Sequence, residues 1–170
     1  MRWNDLFADL EAQMGAAENA QFQAEVQDLT RSERATVELA ARLLSARGMA
    51  IALTLRDGEI VRGIIVDAAA QWLLVGETGP QTLVPLSAVV MVKGLPPRST
   101  ELSEVDRRLG LGHALRALAR DRERVIVDTG AGSAAGLVGA VGADYIEVST
   151  SVGSSVAVPM AAITRVRSAG

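Results

Sequence analysis

"LVPLSAVVMVKG" spans Leu83–Gly94 and "VAVPMAAITRVR" spans Val156–Arg167. With Pro85 set against Pro159, the columns agree: Val84 with Val158, Leu86 with Met160, Ala88 with Ala162, Val89 with Ile163, Val92 with Val166. The agreement extends upstream. Gly63 matches Gly136 and Trp72 matches Tyr145, both at a spacing of 73, while the prolines lie 74 apart. One extra residue therefore falls in the loop between the third and fourth strands of the second copy. A fixed period of this kind is the mark of a supersecondary unit written twice.

The unit itself is read from its periodicity. In "AIALTL" (Ala50–Leu55), Ile51, Leu53 and Leu55 alternate with smaller or polar residues, the pattern of a half-buried strand. Asp57-Gly58 is a hairpin turn, because that turn needs positive φ. A second strand starts at Ile60, and Gly63 inside it predicts a bulge or bend. "QWLLVGE" and "QTLVP" follow as strands three and four, "PLSA" as a short 3₁₀ turn, and "VVMVK" as strand five. The pattern returns from Val125. There "TGAGSAAG" stands in place of "LRDGEIVRG", so the second copy's first hairpin has lost its charges.

Helical spacing governs the rest. Trp3, Leu6, Phe7, Leu10 and Met14, then Phe22, Val26 and Leu29, form an apolar stripe on an acidic segment. Residues 1–30 hold six acids against Arg2 alone. Thr30 and Glu33 read as a capping box opening a second helix, with Val37, Leu39, Leu43 and Leu44 on its buried face and Gly48 as its stop. "ELSEVDRRLGLGHALRALARD" is a further helical stretch that Gly110 and Gly112 break or bend.

Composition excludes several function classes. The chain has 170 residues, no cysteine and one histidine, His113. Disulfides, thiolate metal sites, a cysteine nucleophile and multi-histidine metal centres are ruled out. A net charge of −3 does not suit a general polyanion binder. No apolar run reaches the length of a membrane span, and the acidic amphipathic start is unlike a signal peptide, so the expected location is the cytoplasm. No cofactor is expected. Sixteen of the seventeen basic residues are Arg, a bias in keeping with a GC-rich genome rather than with guanidinium chemistry.

"GMAIALTLRDGEIVRGIIV" resembles the opening of the first motif of the Sm/LSm family, and the resemblance covers residues 37–92 and, more weakly, 115–166. It implies a small SH3-type barrel, assembly through strand edges, and single-stranded RNA held by two loops. At those loops the family's Asp-x-x-Met-Asn is replaced by "AAAQWLL", and the Arg-Gly or Lys-Gly of its second motif by "PLSAV". The layout of the whole chain, including "LGLGHALRALARDR", also resembles an uncharacterised group of proteins of GC-rich Gram-positive bacteria. Some of these carry a transcription-regulator label, but no helix-turn-helix is legible here.

The fold expected is α+β: an N-terminal helical segment (1–47), a first five-stranded Sm-like barrel (48–94), a linker and helix (95–123) and a second barrel (124–168). Each barrel is preceded by a helix. Barrels of this size are marginal alone and should pack together, and bare strand edges should drive self-association. The expected function is a non-enzymatic interaction or assembly module, a homo-oligomer or a binder of a protein partner, with Sm-like RNA binding as the alternative. Neither a membrane nor a metal is expected as partner. Candidate partner-binding residues are Trp3, Phe7, Leu10 and Phe22. Candidate RNA-binding residues are Arg56, Trp72, Arg107, Arg108, Arg116 and Arg120. Against the RNA use of Trp72 stands packing under a helix. Against that of the arginines stands a solvated face, interleaved with Glu104, Asp106, Asp121 and Glu123. His113 lacks a neighbouring nucleophile and reads as a helix-surface residue.

Overall fold

The alternating and apolar runs become strands close to where periodicity puts them. The computed structural model describes residues 3–76, 79–150 and 153–170, with the side chains of 3–11 and 28–34 outside the described set. The chain divides into two compact units, residues 1–37 and 38–170.

The first unit is helix α1 (Trp3–Ala35). Its backbone runs unbroken through Thr30, so the helix start expected there is corrected. "RSERA" (31–35) consists largely of good helix formers and carries the helix on. The break comes after it, at Thr36 and Val37, where two β-branched residues follow one another. The second helix, α2 (Leu39–Ser45), starts after Glu38 with no side-chain cap. It buries Ala40, Ala41 and, as expected, Leu43, with Leu44 half-buried against the core, while Leu39 and Val37, expected on the same face, stay exposed. Gly48 follows with φ of 79°.

Ten strands follow: β1 (Ala50–Leu55), β2 (Ile60–Ala68), β3 (Trp72–Gly76), β4 (Thr82–Pro85), β5 (Val89–Lys93), β6 (Arg124–Thr129), β7 (Gly132–Val141), β8 (Tyr145–Ser149), β9 (Ser155–Pro159) and β10 (Ile163–Ser168). The 3₁₀ turns Leu86–Ala88 and Met160–Ala162 follow the two prolines. Between β5 and β6 lie α3 (Glu104–Arg108) and α4 (Leu111–Asp121). The break between them falls at Gly110, and Gly112 lies within α4. Ser103 opens α3 with a capping box to Asp106, and its hydroxyl and backbone bonds hold the Asp106 carboxyl below its usual pKa.

The expected pair of closed barrels is overturned. All ten strands form one open, antiparallel sheet in the order β5-β1-β2-β3-β4-β10-β6-β7-β8-β9. Each half keeps the same internal order, but neither closes on itself. β4 instead pairs with β10, Leu83 opposite Val166 and Thr82 opposite Arg167. The physical reason lies in the edges. Four bare edges on two small sheets are reduced to two when the sheets join, and the backbone groups of β4 and β10 are satisfied by each other.

Two cores result. One gathers Leu43, Leu53, Ile65, Leu73 and Val84, and the other Leu83, Leu115, Val127, Ile146 and Ile163. Strand β4 serves both, sending Val84 to the first and Leu83 to the second. β3 does likewise, with Leu73 and Val75 on one side and Trp72 and Leu74 on the other. Strands buried on both faces read as continuous apolar runs, which is why "WLLV" and "TLVP" lack alternation.

Gly63 is not a bulge. It pairs in register with Ile51, and the irregularity falls at Val66 instead. A Cβ at Gly63 would meet Val75 Cγ1 at 2.7 Å, and one at Gly136 would meet the Ser149 carbonyl oxygen at 1.9 Å. Both glycines admit the close approach of the next strand. Among the described residues no helix is long and apolar enough to cross a membrane.

Candidate assembly interface

The junction between the halves is held by charge as well as by the sheet. Arg56, at the β1–β2 hairpin, donates from its guanidinium to the Ala161 carbonyl and, at 3.2 Å, to the Ile163 carbonyl. Arg165 of β10 reaches Glu59 at 3.5 Å and Asp128 at 2.9 Å. Arg167 donates to both carboxylate oxygens of Asp128, at 2.7 and 3.1 Å, and the Ser133 hydroxyl donates to it at 2.6 Å. The Asp128 side chain is only 8% exposed. Burial pushes its carboxyl up, but hydrogen bonds from Arg167, Ser133 and Arg165 outweigh burial and bring its pKa down to about 2. The same bond to Asp128 raises the Arg167 pKa above its ordinary value.

The first half therefore carries a filled cleft. Arg56 and Glu59 on the hairpin, with Thr82 and Leu83 on β4, embrace the segment from Ala161 to Arg167 of the second half. The equivalent place in the second half is an open groove of about 380 Å³ between the β6–β7 hairpin and β9. Its lining includes Thr129, Gly132, Val156, Ala157 and Ala162. By the repeat's spacings these are the counterparts of Arg56, Glu59, Thr82, Leu83 and Ala88. Among the described residues no charged side chain lines it.

The two ends of the sheet are β5 and β9. On β5, Val90 and Met91 are each 56% exposed, and on β9 Val156 is exposed. Their counterparts at the β4–β10 seam are better covered: Thr164, the counterpart of Val90, is fully buried, and Arg165 and Thr82, the counterparts of Met91 and Val156, are half-buried. An edge with exposed apolar side chains is a template for further pairing.

The candidate residues named from the sequence are dispersed. Trp72 is half-buried against the second core and donates its Nε1–H to the Leu109 carbonyl at 2.9 Å. Its neighbour Gln71 accepts from the Leu111 amide at 3.1 Å and caps α4. Arg107 pairs with Glu38 at 3.2 Å, and Arg108 with Glu104. Arg116 and Arg120 are exposed on α4. Arg56 is engaged at the junction, as described. Phe22 is 66% exposed on α1, whereas the side chains of Trp3, Phe7 and Leu10 lie outside the described residues. His113 is exposed on the first turn of α4. Among the described residues no group of three or more His, Cys, Asp or Glu side chains is placed to hold a metal ion.

Sequence reasoning missed Asp128, Arg165 and Glu59 as a set. The available signal was Asp128 itself, a charged residue at an inward position of an apolar strand, since such a group is buried only when paired. No protein-family model matches this chain, and neither does any curated protein.

Proposed function

We propose that the protein is a non-enzymatic assembly module that associates with copies of itself through the ends of its sheet. The observation that carries the reading is the pair of free edges, β5 and β9, bearing exposed Val90, Met91 and Val156. The exposed Phe22 and Met14 on α1 give the same reading a second apolar surface, one suited to a protein partner. Arg107, Arg165 and Arg167 are each held in an ion pair within the chain, which supports a structural use of these groups. A kinship with the Sm/LSm family stays part of this proposal, resting on the residues 48–66 that carry the resemblance.

The RNA-binding alternative draws on Arg116 and Arg120, since Trp72, Arg56, Arg107 and Arg108 have partners within the chain. Sedimentation velocity of the full chain over a wide concentration range tests the proposal. Mass rising with concentration is expected. A monomer at every concentration overturns it. Tight binding of single-stranded RNA with a steep loss of affinity in salt would favour the alternative.

A further inference from the structure

The two halves run from helix into first strand differently, and the difference leaves a cavity in the second. Ala50 and Arg124 are counterparts, because they pair with Ile64 and Leu137, which lie 73 apart. Two residues upstream, Gly48 is therefore matched by Arg122. Both hold positive φ, 79° at Gly48 and 53° at Arg122, and Arg122 is the only non-glycine to do so among the described residues. Glycine takes this conformation freely at a helix stop, whereas a side chain takes it at a cost. In the first half the segment zips onto β2: the Gly48 amide donates to the Ile65 carbonyl at 2.8 Å, and the Ile65 amide to the Met49 carbonyl at 3.0 Å. In the second half the Arg122 amide turns back to the Ala119 carbonyl at 3.3 Å. Neither Arg122 nor Glu123 bonds the backbone of Val138, the counterpart of Ile65. A cavity of about 560 Å³ lies at this place, with Arg120, Arg122, Val138, Gly139 and Ser149 in its lining.

We propose that this cavity binds the terminal phosphate of a small molecule, a phosphate monoester, with Arg120 and Arg122 as its cations and the Ser149 hydroxyl and Val138 amide as further donors. Among the described residues no ion pair engages either arginine, whereas Arg47, at the end of α2, reaches Asp67 at 3.7 Å. Glu123 faces elsewhere, lining a smaller cavity with Leu83 and Val166 at the β4–β10 seam. Val138 is buried, and a buried amide needs a partner. A guanidinium presents its donors as a planar fork that fits phosphate oxygens. A monoester carries roughly two negative charges at neutral pH, which two guanidiniums match, while a phosphate within a nucleic acid chain carries one. The left-handed backbone at Arg122 then has a use, since it keeps a guanidinium where glycine would end the helix as well. The cavity shares no residue with the loops at which the Sm/LSm resemblance places RNA, or with their counterparts in the second half. Nor does the proposal rest on self-association, which sedimentation decides separately.

Amide NMR of the isotope-labelled full chain tests this at matched ionic strength, with three probes: inorganic phosphate, adenosine 5′-monophosphate, and a short single-stranded RNA without a terminal phosphate. The first two should shift the Val138, Gly139 and Ser149 amides saturably, and the RNA should not. No saturable shift at these amides with either phosphate probe overturns the site. An equal response to the RNA overturns the monoester class and returns the arginines to nucleic acid. Two variants then separate binding from folding. Arg122→Gly should weaken phosphate binding about tenfold, the loss of a charge-assisted bond, and should melt no lower than the native chain because glycine suits the backbone there. Arg120→Gln, at an exposed position, should weaken binding by a similar factor with melting unchanged, so that a folding defect in one variant does not hide the result. Either folded variant binding phosphate as the native chain does overturns the assignment. An Arg122→Gly protein that melts lower and binds undiminished would show a guanidinium serving only the negative end of the α4 dipole.

Discussion

Strands β3 and β4 bury both faces, whereas their counterparts β8 and β9 bury one. Leu74 and Leu83 pack into the second core, while Glu147 is half-buried and Ala157 exposed at the matching positions. The backbone pairing is the same in both places: Trp72 opposite Pro85 in one, Tyr145 opposite Pro159 in the other. What differs is the neighbour. β4 has β10 beside it and the second half over its outer face, and β9 has neither. The comparison teaches that side chains on these strands answer to what lies across the edge, not to the strand's own fold. One repeat was written as an interior and the other as an end.

The largest effects should come from the two cores, which test whether a shared sheet makes one folding unit. Leu73 and Ile146 are counterparts, both fully buried. Truncating either to Ala should cost about 2–5 kcal/mol. Calorimetry should show one transition in residues 38–170, lowered alike by both changes. Two separable transitions, each moved by one variant, would break the idea of a single unit. Next come the matched glycines. At Gly63 the intruding atom is the side-chain methyl of Val75, which can turn away; at Gly136 it is the backbone carbonyl of Ser149, which cannot. Gly136→Ala should cost about 3 kcal/mol and Gly63→Ala about 1. Equal losses in urea denaturation would show that the two strand approaches are equally pliable.

Local order was legible because local patterns produce it. Asp57-Gly58 demanded a turn, Pro85 and Pro159 opened 3₁₀ turns, and alternation in "AIALTL" made a strand. The edge partners were not legible, since β4 and β10 meet through backbone amides and carbonyls that every residue carries. The clue lay in the unbroken "WLLV", which a strand with one wet face would not show. Of the candidate site, β5 and β9 were legible as strands, but not that they would be the two left at the ends, since that depends on the β4–β10 pairing. The charged cleft did not, because Arg56 finds its carbonyls more than a hundred residues away in the chain.

Asp128 sharpens the comparison through pH. Its counterpart is Leu55, buried in the first core, so only the second half has a carboxylate there. Its pKa of about 2 in the folded chain lies below the ordinary value of 3.8. The stabilisation is therefore complete above about pH 5 and is lost as pH falls toward 2, amounting to about 2 kcal/mol. Asp128→Asn should remove that share of the acid sensitivity while lowering stability at pH 7 by a similar amount. A variant with an unchanged acid limb would place the acid-labile group elsewhere.

The smallest predicted effect separates junction from surface. Arg56 is exposed, yet its guanidinium spans two carbonyls of the other half. Charge-assisted bonds to carbonyls outrank neutral ones, but exposure to water discounts them. Arg56→Ala should cost about 1 kcal/mol, and Arg120→Ala, on the outer face of α4, less than about 0.5. Hydrogen exchange gives the sharper reading. Arg56→Ala should speed exchange at the Ser168 amide, which bonds the Gln81 carbonyl across the junction, and leave the Gly58 amide of the hairpin unchanged. If the hairpin loosened and the junction did not, Arg56 would be serving its own turn, and the charged cleft would owe its hold to Glu59 and Arg165 alone.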